Sequence, residues 1–203
     1  METHKKYDKF SNIYDASELF LEKSKFGKWR KLVFENIPPG SSVLEVGVGT
    51  GKNFSYYGND IQVMAIDFSM GMLDKARKKA KAFPEKKIEL LQMDVMNLEF
   101  PDNSFDFFVS TFVFCTVPEP VMGLKEVKRV LKPGGRAIFL EHMRSSRWFP
   151  NLFLYAMSGL TIPLIGTSMV RETKKNIQIA GFRIIKEKNL FSDIVKLLVC
   201  SRS

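Results

Sequence analysis

The stretch 43–51, Val-Leu-Glu-Val-Gly-Val-Gly-Thr-Gly, constrains this chain more than any other part of it. Val43, Leu44, Glu45 and Val46 read as a short buried strand that runs straight into Gly47, Gly49 and Gly51. Glycine accepts positive φ and lets a ligand approach the backbone, and a helix start just beyond such a turn attracts negative charge. In an open parallel sheet, ligands bind past the carboxyl ends of the strands, where strand order reverses. Taken alone, the same glycines would also serve an ordinary tight turn.

The rest of the chain supplies strands and helices in alternation. Residues 61–66 form a second apolar run stopped by Asp67, and Ser69 can cap a helix with Met72, Leu73, Ala76 and Ala80 inward. Residues 88–92 and 105–111 read as the third and fourth strands, the third ending just before Asp94. A helix follows with Val121, Leu124, Val127, Val130 and Leu131 inward; Pro133, Gly134 and Gly135 close it as a tight turn before a fifth strand at 136–140. This alternation requires a mostly parallel sheet covered by helices on both faces. A last helix at 173–180 precedes two runs, 182–187 and 194–200, whose short link predicts an antiparallel pair. With 203 residues, 45% of them apolar, the whole of 1–203 is expected to be one α/β domain.

The three strand tips form a set. Asp67 lies 20 residues after Gly47, where a carboxylate can accept both hydroxyls of a ribose, and Asp94 is placed for an adenine amino group. The third glycine of a nicotinamide fingerprint is here Lys52, and no phosphate-binding P-loop sequence occurs.

The segment 43–52, Ala65 to Ser69 with Met72, Met93-Asp94 and Leu131 to Gly135 together resemble the successive motifs of the class I S-adenosylmethionine-dependent methyltransferases. The resemblance implies S-adenosylmethionine as cofactor and a Rossmann-like seven-stranded sheet whose last strand is antiparallel. It implies that residues 47–51 hold the methionine end, Asp67 the ribose and Asp94 the adenine. Glu45 would orient the methionine amino group, with further contacts from Val48, Phe68, Val95 and Ser110. Met72 would either pack on the adenine or serve as a core residue of its helix. Tyr7-Asp8, Tyr14-Asp15 and Glu141-His142 are similar to features of phospholipid N-methyltransferases and quinone-ring C-methyltransferases. A related group methylates thiols, and cofactor motifs do not choose among the three.

On the acceptor side, His142 is either a base or a residue that shapes the pocket. Tyr14 either closes over the sulfonium or packs in the cap. Cys115 sits just past the fourth strand, as a small buried hydrophobe or a reactive thiol. Residues 148–170 carry no charge and are roughly 23 long, enough for a membrane span, yet Pro150, Gly159, Pro163 and Gly166 interrupt them. An apolar lid spanning 144–171 is the better reading. Residues 1–40 form a cap region with a basic helix at 17–36. Its Lys23, Lys25, Lys28, Arg30 and Lys31 beside Phe20, Phe26 and Trp29 suit either a solvated face or an anionic membrane surface.

A net charge of +9 suits an anionic partner, nucleic acid included, but marks none out. RNA or protein methylation and a non-catalytic cofactor-binding protein remain alternatives to a small-molecule or lipid methyltransferase. His4, His142, Cys115 and Cys200 give no metal-ligand spacing, so no metal is expected. Residues 1–6 lack a secretory apolar core, which predicts a cytoplasmic enzyme, with peripheral membrane contact as the alternative.

Overall fold

The computed structural model describes residues 26–145 and 171–202. Helix α1 (Gly27–Phe34) leads into β1 (Ser42–Val46), and a short 3₁₀ turn (Phe54–Tyr56) follows the glycine loop. Then come β2 (Gln62–Asp67), α2 (Met70–Ala80), β3 (Lys87–Gln92) and β4 (Phe105–Thr111). Beyond these lie α3 (Pro120–Val130), β5 (Leu131–His142), α4 (Thr173–Ile179), β6 (Phe182–Phe191) and β7 (Val195–Arg202).

The strands form one seven-stranded sheet in the order β3-β2-β1-β4-β5-β7-β6. Strands β1 to β5 pair in parallel, whereas β7 runs antiparallel to both neighbours. The chain lays down β1, β2 and β3 in one direction, then returns past β1 to add β4 and β5. The crevice of strand reversal therefore lies between the carboxyl ends of β1 and β4.

The sheet is buried on both faces, which is why its inner strands read as unbroken apolar runs. Side chains alternate faces along a strand. Leu44, Val46, Phe108 and Phe139 pack with Leu124, Val127 and Val130 of α3 and Ile177 of α4. Val43, Ala65, Val109 and Ile138 pack instead with Val33 and Phe34 of α1 and Leu73 and Ala76 of α2. Glu45, in step with Val43, is thereby turned toward α1. The Ser69 hydroxyl accepts from the Met72 N–H and caps α2 as expected.

Three elements depart from the sequence expectation. First, β5 begins at Leu131, ahead of the Pro-Gly-Gly turn. Leu131 pairs with Phe105 and Arg136 with Phe107, so residues 132–135 bulge opposite Asp106. Lys132 Nζ to Asp106 Oδ1 at 2.8 Å pins that bulge. Second, β6 runs on past Glu187 to Phe191, its charged residues marking an exposed sheet edge. Third, only 27–34 of the long first helix is seen as α-helix, and the part before residue 26 lies outside the described residues.

Leu124 has no exposed surface at the centre of the α3 face. Leu124→Ala is expected to destabilise the fold by about 3 kcal/mol, read as a lower urea midpoint with an unchanged slope.

Candidate cofactor and acceptor site

The glycine loop leaves β1 at the crevice. The N–H groups of Gly47 and Val48 both donate to Ile66 O, at 2.8 and 3.0 Å, tying the loop to β2. Gly47 has φ 67°, and a Cβ there would drive into the Val113 isopropyl group. Gly49 has φ 56°, but a Cβ on it would meet nothing within 4 Å. The loop is therefore packed from below and open above. Gly51 closes it against the Phe54 ring, and the Val48 side chain is buried beneath it.

Asp67 faces this opening. Its Oδ2 accepts from Gly49 N at 2.8 Å and its Oδ1 from Ser69 N at 2.9 Å. The carboxylate is thus oriented by the loop on one side and by the start of α2 on the other. Next to it Phe68 is 47% exposed, an unusual position for a large aromatic side chain. Asp94 lies two residues past β3, with Oδ1 accepting from Met96 N at 2.8 Å. An open loop, a fixed carboxylate, an exposed ring and a second acid fit an adenosyl group bearing an amino acid tail.

The remaining expected cofactor residues are internal. Met72 is buried on α2, which favours its reading as a core residue. Val95 packs in the α3 core against Gly123. Ser110 is 0% exposed, and its hydroxyl donates to Glu141 Oε1 at 2.7 Å; the geometry supports a role in holding that carboxylate.

Glu45 lies beneath the loop at 1% exposure. Its two oxygens are engaged from within, Oε2 by the Tyr57 hydroxyl and Oε1 by Asn53 Nδ2 at 2.7 Å. Arg30 Nη1 in turn donates to Asn53 Oδ1 and Thr111 Oγ1, both at 2.9 Å. Burial pushes the Glu45 carboxyl up to about 7, against the pull of Tyr57, Asn53 and Arg30. Burial, and then the Glu45 charge, raise the Tyr57 hydroxyl as well. Sequence reasoning found Glu45 but missed Asn53, Tyr57 and Thr111, and it grouped Arg30 with lysines of a solvated or membrane-facing surface. The signal for Arg30 was its spacing, since positions 30, 33 and 34 share the buried stripe of the first helix.

Across the crevice, Glu141 is 0% exposed. Oε1 accepts from Ser110 Oγ, Val113 N at 3.0 Å and Phe114 N at 3.3 Å, which fixes the turn whose Val113 covers Gly47. Oε2 has no hydrogen-bond partner among the described residues. Burial raises this carboxyl to about 7. His142 lies 4.6 Å from the Phe112 ring, centroid to centroid, and burial holds its imidazole down to about 4. It is therefore neutral at pH 7, a hydrogen-bonding group and a weaker base than a free histidine. Phe112 has φ 61°, a costly conformation for an aromatic residue, and Phe26 of the cap meets it edge-on at 5.4 Å. Burial, and then the Glu141 charge, push the Cys115 thiol well up, leaving it a protonated hydrophobe.

Tyr14, Phe20, Lys23, Lys25 and the apolar stretch 148–170 lie outside the described residues. Described residues on either side of that stretch are joined, Arg144 N donating to Arg171 O at 3.1 Å. Among the described residues no helix is long and apolar enough to cross a membrane, and no side-chain group is arranged to hold a metal ion.

The buried groups oppose one another in pH. The glutamates have folded-state values above 4.5, so their contribution is present below that pH and lost as pH rises through about 7. His142 has a value below 6.5, so its contribution is present above 6.5 and lost as pH falls through about 4. Glu141→Gln is expected to remove one alkaline loss. Relative to the wild type, its unfolding free energy should be higher at about pH 8 than at about pH 5 by on the order of 3 kcal/mol, read from urea titrations.

Residues 44–139 match the family model described as a methyltransferase domain. A phosphatidylethanolamine N-methyltransferase of Cereibacter sphaeroides is 42% identical over 104 residues, 51% of this chain and 51% of the relative. A demethylmenaquinone methyltransferase of Bacillus cereus is 35% identical over 144 residues, 68% of this chain and 61% of that protein. The chain thus spans between half and three-fifths of the length of these curated relatives. Among solved structures, a Thermotoga maritima protein described as a SAM-dependent methyltransferase, possible histamine N-methyltransferase, superposes with a TM-score of 0.74. It is 21% identical, and the match covers 98% of this chain and 99% of that one. Strand order, the carboxylate-gripped glycine loop and this kinship agree: residues 44–139 are a methyltransferase domain, on a fold shared with solved proteins described as SAM-dependent methyltransferases.

Proposed function

We propose that this protein binds S-adenosylmethionine and transfers its methyl group to the headgroup amine of a phospholipid or to another small apolar acceptor. The observation that carries the reading is Asp67, held between the Gly49 and Ser69 N–H groups beside a loop open on its outer side. The cofactor supplies a methyl group activated by the positive sulfur. The chain's part is to bind, orient and exclude water, since in-line displacement depends on placement. Asp67 would accept the ribose hydroxyls, Phe68 would cover the adenine and Asp94 would receive its amino group. Glu45 would set the loop from beneath and so help orient the methionine amino group.

An amine acceptor must arrive unprotonated or lose its proton in the site. A neutral His142 at the tip of β5 can accept a hydrogen bond or a proton there, or simply bound the pocket. Tyr14 is the cap residue assigned to the sulfonium. The meeting of Arg144 and Arg171 supports an apolar lid over 144–171, inserted into the domain at one point. Such a lid suits an acceptor with acyl or prenyl chains. The exposed Lys28 and Lys31 of α1 support a cytoplasmic enzyme that touches anionic membrane, although buried Arg30 takes no part.

Methylation of a quinone-ring carbon is the second reading, favoured by the longer alignment with the menaquinone relative. A small thiol comes after it. RNA or protein methylation and a non-catalytic cofactor-binding role have no feature of the site in their support.

Purified protein given labelled S-adenosylmethionine with phosphatidylethanolamine vesicles, a demethylated quinone, a thiol and RNA should label the lipid; labelled quinone would select the second reading. Asp67→Ala should abolish the calorimetric signal for S-adenosylhomocysteine. His142→Ala should lower turnover with cofactor affinity unchanged, and unchanged turnover removes His142 from the mechanism. Sedimentation with anionic vesicles at low salt tests the membrane contact, which absence of binding would refute.

A further inference from the structure

Helix α1 lies outside the matched methyltransferase region 44–139, yet it sends a charged group under the cofactor loop. Arg30 is 6% exposed. Removing a guanidinium from water is costly unless its donors are used in good geometry. Here one nitrogen serves two acceptors, and both belong to the active edge of the sheet. Asn53 follows Gly51 by two residues, and Thr111 ends β4.

The consequence runs through the Asn53 amide. Because Arg30 donates to Oδ1, the amide nitrogen is turned to donate to Glu45 Oε1 at 2.7 Å and to Thr111 Oγ1 at 3.1 Å. Glu45 stands two residues before Gly47 and Asn53 two residues after Gly51, so this bond ties the two ends of the glycine loop together. Without Arg30, Asn53 Oδ1 loses its donor, and the amide is held from one side only, by its bonds to Glu45 and Thr111.

We infer that Arg30 is a positioning residue for the cofactor loop, so that the N-terminal helix is a working part of the cofactor site and not only a cover over the sheet. The inference rests on the methyltransferase reading. It assigns α1 a second task beside any contact with the acceptor, since Arg30 also lies 5.8 Å over the Phe112 ring. Docking of α1 and closure of the loop on its ligand are then one linked event.

A purely cementing role would affect stability alone. A positioning role also affects cofactor affinity and its response to pH. Four groups act on the Glu45 carboxyl: Tyr57 and Asn53 by hydrogen bonds, Arg30 by its positive charge and Asp67 by its negative charge. Removing the Arg30 charge lets Glu45 protonate at higher pH.

The test is calorimetric titration of folded protein with S-adenosylhomocysteine between about pH 6 and 9, beside thermal melts. Arg30→Met is expected to weaken binding by about tenfold or more, since a charge-assisted hydrogen bond is lost. The midpoint of its affinity-against-pH curve should move up from that of the wild type. Arg30→Lys keeps the charge without the fork, so the midpoint should return while the affinity recovers only in part. Thr111→Val removes one acceptor with little change in shape and should weaken binding a few-fold, which keeps the test alive if Arg30→Met does not fold. Lys31→Met, on the exposed side of the same helix, should bind as the wild type does. Wild-type affinity and an unmoved midpoint in folded Arg30→Met, or in Arg30→Lys and Thr111→Val together, would overturn the inference while leaving the family reading intact. Equal weakening by Lys31→Met would overturn it too. A wild-type protein that gives no heat with S-adenosylhomocysteine would instead strike at the methyltransferase reading itself, and the inference would fall with it.

Discussion

A carboxylate within a hydrogen-bonded sheet is among the more expensive groups a fold can bury. Glu45 is kept there by donors converging from three directions: Tyr57 beyond the 3₁₀ turn, Asn53 at its start, and Arg30 reaching Asn53 from α1. Remove them and the end of β1 would hold an unsatisfied carboxyl directly beneath the glycine loop, pushed further toward its neutral form. The position and stiffness of that loop, and so of everything that would grip an adenosyl sulfonium, follow from keeping Glu45 satisfied.

The two faces of the sheet solve the same problem in parallel. Side-chain alternation sends Glu45 to the α1 face and Glu141, with Ser110 and Phe139, to the α3 face. Each buried glutamate fixes one backbone segment at the crevice. Glu45 holds the glycine loop, and Glu141 holds the turn at Val113 and Phe114. The two segments meet where the Val113 side chain occupies the space that a side chain at residue 47 would need. Polar groups thus set the walls of the crevice from below, and the strain at Phe112 falls where the two walls join.

What could be read from the sequence divides along a physical line. The glycine loop, Asp67 and Ser69 are local features: each is declared by residues within a few positions of the element it serves. The alternation of runs declared the parallel sheet, and the short link at the end declared the antiparallel β7. Contacts over long sequence separation were hidden. Nothing near residue 30 announces that its guanidinium meets Thr111, 81 positions on. The bulge at 132–135 was hidden for another reason, because Pro-Gly-Gly signals a turn with equal force whether it precedes a strand or interrupts one. The charges of β6 concealed its length because an edge strand tolerates them. Ser110, which the resemblance offered as a cofactor contact, has its hydroxyl bonded to Glu141 inside the sheet, again a partner far along the sequence.

The same line separates cofactor from acceptor. The groups we propose for the adenosyl moiety come from residues 47–94, inside the matched region 44–139. The groups we propose for the acceptor end come from α1, from Glu141 and His142 past the end of that region, and from the return at Arg171. A sheet of this order can keep its cofactor half while the acceptor half is rebuilt from cap and insertion, so fold and cofactor motifs constrain the reaction far more than the acceptor. If Arg30 couples the halves as its bonds require, the cap is not free to vary altogether. Whatever acceptor it shapes itself around, it must still deliver one guanidinium to Asn53.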